Sequence, residues 1–113
     1  MFTHDPTDYG LKKAVKKAGS SPRGIVLQAK YDFGQAVLKS AKACKVPLAI
    51  MAITNLRRMI EYGAIEVADW TTYDKLRNEG NSAYHEKEHP NRTITEAKDY
   101  AARVAKAIAS LPK

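Results

Sequence analysis

Ten consecutive residues, Leu76-Arg77-Asn78-Glu79-Gly80-Asn81-Ser82-Ala83-Tyr84-His85, gather an arginine, two amides, a glycine and a histidine between segments patterned as ordinary helices. At about 100° per residue, Arg77, Asn81 and His85 fall within about 80° of one another on a helix, and Asp74 and Asn78 share that sector. Leu76, Gly80, Ala83 and Tyr84 fall on the adjoining apolar sector. One face can therefore pack while its neighbour presents a cation, amides and an imidazole. A guanidinium forks onto phosphate oxygens. An imidazole titrating near neutrality can assist a ribose hydroxyl that attacks the adjacent phosphorus. The grouping suits phosphate or nucleic acid better than it suits a core.

A second string overlaps the first. His85-Glu86-Lys87-Glu88-His89 satisfies H-E-x-x-H, in which two histidines one turn apart bind zinc and the glutamate serves as base, and also H-x-x-E-H. Its middle positions are Lys and Glu where a buried zinc helix needs apolar residues. Pro90 follows at once, and no later histidine supplies a third ligand, leaving acidic residues such as Glu96. No metal and no other cofactor is therefore assigned.

The positioning elements follow from the pattern of the whole chain. At 113 residues, 44% of them hydrophobic, the expectation is one globular domain spanning 1–113. The single cysteine, Cys44, excludes an intrachain disulfide framework and a multi-cysteine zinc site, and suits a reducing cytoplasm. The start lacks a signal-peptide layout, and the longest apolar run, Leu48 to Ile53, is far too short to span a membrane. A net charge of +7 and an isoelectric point near 9.6 favour a polyanionic partner, because each cation placed on a phosphate releases counterions.

In chain order, Asp5-Pro6 suggests a helix start. A short amphipathic helix follows, apolar at 11, 14, 15 and 18, with Lys12, Lys13, Lys16 and Lys17 on its other side. That basic face is either a solvated surface or a phosphate-contacting arm. Gly19-Ser20-Ser21-Pro22 stops one helix and starts the next, whose stripe of Leu27, Tyr31, Gly34, Leu38 and Ala41 reaches to about Cys44. Pro47 opens a third helix, expected over Leu48 to Tyr62, apolar all round at first and so the most buried. Arg57 and Glu61 are spaced to pair along it, and Gly63 marks its end. Asp69 to Thr72 caps a fourth helix carrying Arg77 to His85, with Trp70 and Tyr73 as packing residues. Pro90-Asn91 breaks the chain, and Thr93 to Glu96 fits a capping box opening a last helix with Ala97, Ala101, Val104, Ile108 and Leu111. No segment alternates like a strand. The fold expected is an all-α, up-and-down bundle of four main helices, 22–111, preceded by the basic N-terminal helix and linker, 1–20.

Leu56-Arg57-Arg58-Met59-Ile60-Glu61 on the third helix, then the Leu76 to His85 string, resemble the HEPN superfamily (higher eukaryotes and prokaryotes nucleotide-binding), closest to its branch with an Arg-x-x-Gly-Asn-x-Ala-x-His string. The likeness extends through Thr95-Glu96-Ala97 and covers roughly residues 22 to 111. It implies a bundle that dimerises with the arginine and histidine of both protomers at a shared cleft. Many members are metal-independent endoribonucleases of toxin, antiviral defence or RNA-processing systems, and others only bind nucleotides or RNA; the partners expected for this chain are RNA or other nucleic acid, a second copy of itself and a cognate protein. Carried over by position, Arg77 would hold the scissile phosphate, His85 would move the proton and Asn78 would be the polar residue after the arginine. Asn81 and Lys12, Lys13, Lys16 and Lys17 would help bind RNA, and Glu61 would orient Arg77. The ribonuclease members usually leave fewer residues between arginine and histidine than the seven found here. The other reading is a non-catalytic basic module, antitoxin-like or a phage-type regulator, that binds nucleic acid or a protein.

Overall fold

Ser21 and Pro22 start the helix that organises the rest. The Ser21 hydroxyl accepts the Gly24 amide proton at 3.1 Å, and proline presets the first turn. The computed structural model describes residues 7–85 and 92–113, and among these the regular elements are helices: α1 (Asp8–Ala18), α2 (Pro22–Ala43), α3 (Ala52–Glu61), α4 (Val67–His85) and α5 (Ile94–Ser110). The all-α expectation holds for these residues. Helix α2 packs against each of the other four, while α3 with α4 and α4 with α5 complete the main contacts.

That central position makes α2 the most buried helix, in place of α3. Leu27 and Ala41 of the expected stripe are buried, but Tyr31, Gly34 and Leu38 are half-buried, and Val26, Ala29, Phe33 and Val37 join the core. A helix enclosed by four neighbours buries a wider arc than one amphipathic stripe.

Helix α3 begins at Ala52, later than expected, and the residues before it are not the buried turn that their apolarity suggests. Leu48 is 47% exposed and Ile50 87% exposed. The cause is polar. Buried Asn55 accepts from the Ala49 amide at 2.8 Å and donates to the Ala49 carbonyl at 3.0 Å, and Arg58 donates to the Pro47 carbonyl at 2.8 Å. These side chains satisfy the connector's backbone without helical bonds. At the other end Gly63, with φ 74°, closes α3 as expected. Its amide bonds to Ile60 O and that of Ala64 to Met59 O, the paired bonds of a glycine-terminated helix.

Smaller shifts occur at the other ends. The cap of α1 is Thr7, which accepts from the Gly10 amide at 3.1 Å; Asp5 and Pro6 lie outside the described residues. Helix α4 starts at Val67, and Asp69 reaches back from its first turn to the Glu66 amide. Thr93 caps α5 by accepting from Glu96 N at 3.0 Å, and its hydroxyl also donates to the Glu96 carboxylate. Trp70 and Tyr73 pack, as expected. The Trp70 ring lies under the Arg57 guanidinium at 6.0 Å, and Tyr73, buried, meets the Phe33 ring at 5.9 Å. No helix among the described residues is long and apolar enough to cross a membrane.

Candidate nucleic-acid interface

The inner side of α4 is held by residues from two other helices. At Gly80 a Cβ would meet the Lys30 Cδ at 2.6 Å and the Tyr100 hydroxyl at 2.7 Å, so only glycine lets α2 and α5 close on the helix there. Tyr100 donates to the Leu76 carbonyl at 2.8 Å, and Lys30 Nζ lies 3.5 Å from the Arg77 carbonyl. Burial pushes the Tyr100 phenol up, the Glu79 carboxylate adds to the rise, and Arg103 opposes it. Arg23 at the start of α2 donates to the Ala83 and Tyr84 carbonyls, each at 2.9 Å, covering the negative end of α4. Arg23, Lys30 and Tyr100 were not candidates from the sequence. Each acts across more than twenty residues of chain, and no local spacing announces it.

The outer side of α4 carries the string that suggested phosphate chemistry, and the structure separates its members. Arg77 is half-buried, with its Nε and Nη2 donating to Asp74 Oδ1 at 3.0 and 2.9 Å and Nη2 also to Asn78 Oδ1 at 3.1 Å. Asn78 and His85 are exposed, and the His85 ring meets that of Tyr84 edge-on at 5.2 Å. Asn81 is fully buried, so it does not share an open face with Arg77 and His85 as expected. The arc of α4 enclosed by α2, α3 and α5 is wider than its apolar residues alone indicate. Glu61 is exposed at the last residue of α3, while the carboxylate on Arg77 is that of Asp74.

Distance along the helix matters as much as direction. Eight residues at about 1.5 Å each put roughly 12 Å of axis between Arg77 and His85. Helical side chains lean toward the N-terminus, and Arg77 does so onto Asp74, away from His85. Glu86 to His89, the remainder of the H-E-x-x-H string, lie outside the described residues, as do Pro90 and Asn91.

The second group of candidates behaves differently. Lys12, Lys13, Lys16 and Lys17 are all exposed along α1, and none has a carboxylate partner among the described residues. Lys12 Nζ lies 5.6 Å from the Tyr31 ring centre and Lys13 Nζ 5.1 Å from that of Tyr9, which is 71% exposed. Between Tyr9 and Ile60 the single acidic residue is Asp32, and it accepts from Gln28. Residues 1–60 hold eleven Lys and Arg against three Asp and Glu, whereas residues 61–113 hold eight against nine. The net positive charge therefore belongs to the α1 to α3 half. This asymmetry is plain in the composition once the chain is divided, and a whole-chain charge hides it.

No family model, curated protein or solved structure matches the chain. What the arrangement can do rests on its own chemistry. A row of uncompensated ammonium groups beside an exposed tyrosine can hold phosphates and stack a base. On α4, an arginine already engaged by a carboxylate and a histidine more than two helix turns away do not converge on one phosphate within a protomer. Among the described residues no group of His, Cys, Asp and Glu is arranged to hold a metal ion.

Proposed function

We propose that the protein is an RNA-binding helical module whose contact surface is the lysine face of α1, with Tyr9 as a stacking platform for an unpaired base. The observation that carries this reading is that Lys12, Lys13, Lys16 and Lys17 stand exposed with no carboxylate partner among the described residues. Exposed Lys39, Lys42 and Lys45 toward the end of α2 add to the same field. Attraction of this kind is strong at low salt and falls steeply as salt rises. The four main helices then serve as an up-and-down bundle carrying the basic arm, in a reducing cytoplasm suited to a lone half-buried thiol, Cys44. The test is fluorescence anisotropy of a mixed-sequence single-stranded RNA over a salt series. A steep salt dependence is expected, and a flat one removes the proposal.

A second reading keeps the HEPN likeness and its metal-independent ribonuclease chemistry, as in toxin or defence systems. In its favour, Arg77, Asn78 and His85 ride one uninterrupted helix and His85 is exposed. Because Arg77 turns toward Asp74, cleavage would need a homodimer in which His85 of one protomer meets Arg77 of the other. Incubating the RNA pool in EDTA with wild type, Arg77→Ala and His85→Ala separates the two readings. Cutting by wild type alone, leaving cyclic phosphate ends, establishes the ribonuclease. Binding without cutting leaves the non-catalytic module.

A further inference from the structure

Away from the basic arm, a cavity of about 440 Å³ opens between α4 and α5, a volume within the usual range for small-molecule sites. Thr72, Lys75 and Leu76 line it from α4, and Lys106, Ala107 and Ser110 from α5. Arg103 contributes as well, and no carboxylate lines the cavity among the described residues. That absence is informative, because this half of the chain carries more acids than bases. The nearby carboxylates of Glu79, Glu96 and Asp99 line a separate cavity, where Arg103 is bonded to Glu79 at 2.8 Å and to Asp99 at 3.0 Å. Lys75 and Lys106 are exposed and have no carboxylate partner among the described residues. Two lysines on the lining of one cavity can both attract an anion that enters it.

The remaining lining is suited to a body attached to that anion. Leu76 and Ala107, nearly buried at 3% and 6% exposed, also line the cavity and make its floor apolar. The two helices are already locked together by the Tyr73 and Ser110 hydroxyls at 2.8 Å and by Tyr100 on the Leu76 carbonyl, so little ordering is needed on binding. We propose that this cavity is a binding site for a small organic anion: a phosphate or carboxylate between Lys75 and Lys106, reached also by the Thr72 hydroxyl, with a short apolar body on Leu76 and Ala107. The site is independent of the α1 surface and of RNA.

Phenyl phosphate titrated into ¹⁵N-labelled protein tests the site, with amide shifts as readout. Saturable shifts confined to residues 71–76 and 103–110 are expected, weakened about tenfold or more in Lys75→Gln/Lys106→Gln, since each lysine contributes a charge-assisted bond. Both lysines are exposed, so the double variant is expected to fold, and its amide spectrum checks this. Inorganic phosphate and benzyl alcohol, each carrying half of the ligand's chemistry, should bind more weakly. Shifts scattered over the surface, or unchanged in the double variant, overturn the proposal. Equal binding by benzyl alcohol overturns the anion requirement, and equal binding by inorganic phosphate overturns the apolar subsite.

Discussion

The lysines of α1 and the arginines of α4 and α5 are used in opposite ways. On α1, Lys12, Lys13, Lys16 and Lys17 are exposed, without carboxylate partners among the described residues, and two of them lie over tyrosine rings. On α4 and α5 the arginines are paired instead, Arg77 with Asp74 and Arg103 with Glu79 and Asp99, while Lys75 and Lys106 stay without a carboxylate partner among the described residues. An arginine paired within its own fold has its donors committed to an internal acceptor, whereas an unpaired lysine keeps its charge for an outside one. The arginine of the α4 motif is thus committed within the fold, whereas all four α1 lysines keep their charge available.

The widest separation between the two regions is expected in RNA binding. Reversing all four α1 lysines to glutamate should cost roughly a hundredfold or more in affinity and flatten the salt slope by up to about 3, because each phosphate of a single strand left without its cation takes roughly 0.7 from the slope. Arg103→Gln should leave both within a factor of about two, as a paired surface charge contributes little. Anisotropy titrations on both variants check this, and a larger loss from Arg103→Gln would invert the comparison. A smaller effect concerns the support of α4. Gly80→Val places new carbons against Lys30 and Tyr100, and overpacking of this kind costs about 2 kcal/mol. The expected result is a lower urea midpoint with an unchanged RNA salt slope, because the strain falls on Lys30 and Tyr100 and leaves the four α1 lysines exposed.

Much of the framework was legible because it rests on local chemistry. Ser21-Pro22, Gly63 and Thr93 to Glu96 act within a few residues of themselves, and they set helix ends where the sequence put them. The failures have a common cause in side chains beyond the turn being read. Leu48 to Met51 looks like a buried helical turn until Asn55 and Arg58 take up its backbone bonds from further along the chain. Asn81 looks like a surface amide until α4 is enclosed on three sides. The α1 lysines were legible as an exposed face because no element packs over them and no carboxylate among the described residues pairs with them. The pairing of Arg77 with Asp74, one turn away, was within reach of the sequence, since that spacing brings opposite charges together on a helix.

The inner support of α4 gives a pH-dependent contrast. Tyr100→Phe removes the hydroxyl bonded to the Leu76 carbonyl and should cost about 1 kcal/mol at pH 8. Burial raises the phenol above its ordinary value of 10.0, so the folded state resists its ionisation. The contribution of Tyr100 is fully present below pH 10.0 and is lost as pH rises beyond it, at about 1.4 kcal/mol per pH unit. Urea midpoints should therefore favour wild type at pH 8 and converge near pH 11. A gap that stays constant over this range would mean that the phenol is not the group linking alkaline pH to stability.

The smallest expected effect bears most directly on whether α4 belongs to the binding surface. Asp74 is 31% exposed and Arg77 16%, so their pair is partly screened, and Asp74→Asn should change stability by less than about 1 kcal/mol. The substitution removes the Asp74 charge from the Arg77 guanidinium while leaving the helix and its packed side intact. If RNA touches only α1, affinity rises slightly, through the one added unit of net charge, and the salt slope stays as in wild type. If α4 is part of the contact surface, Arg77 gains a phosphate and the slope steepens by about 0.7. The same variant also bears on the ribonuclease reading, since losing the Asp74 charge leaves Arg77 less tightly drawn to its own helix and more available to a substrate held by the His85 of a second protomer. Cleavage that emerges or accelerates in Asp74→Asn would assign the Asp74–Arg77 pair a restraining role, and binding without cleavage in that variant would leave α4 a structural helix beside a basic arm.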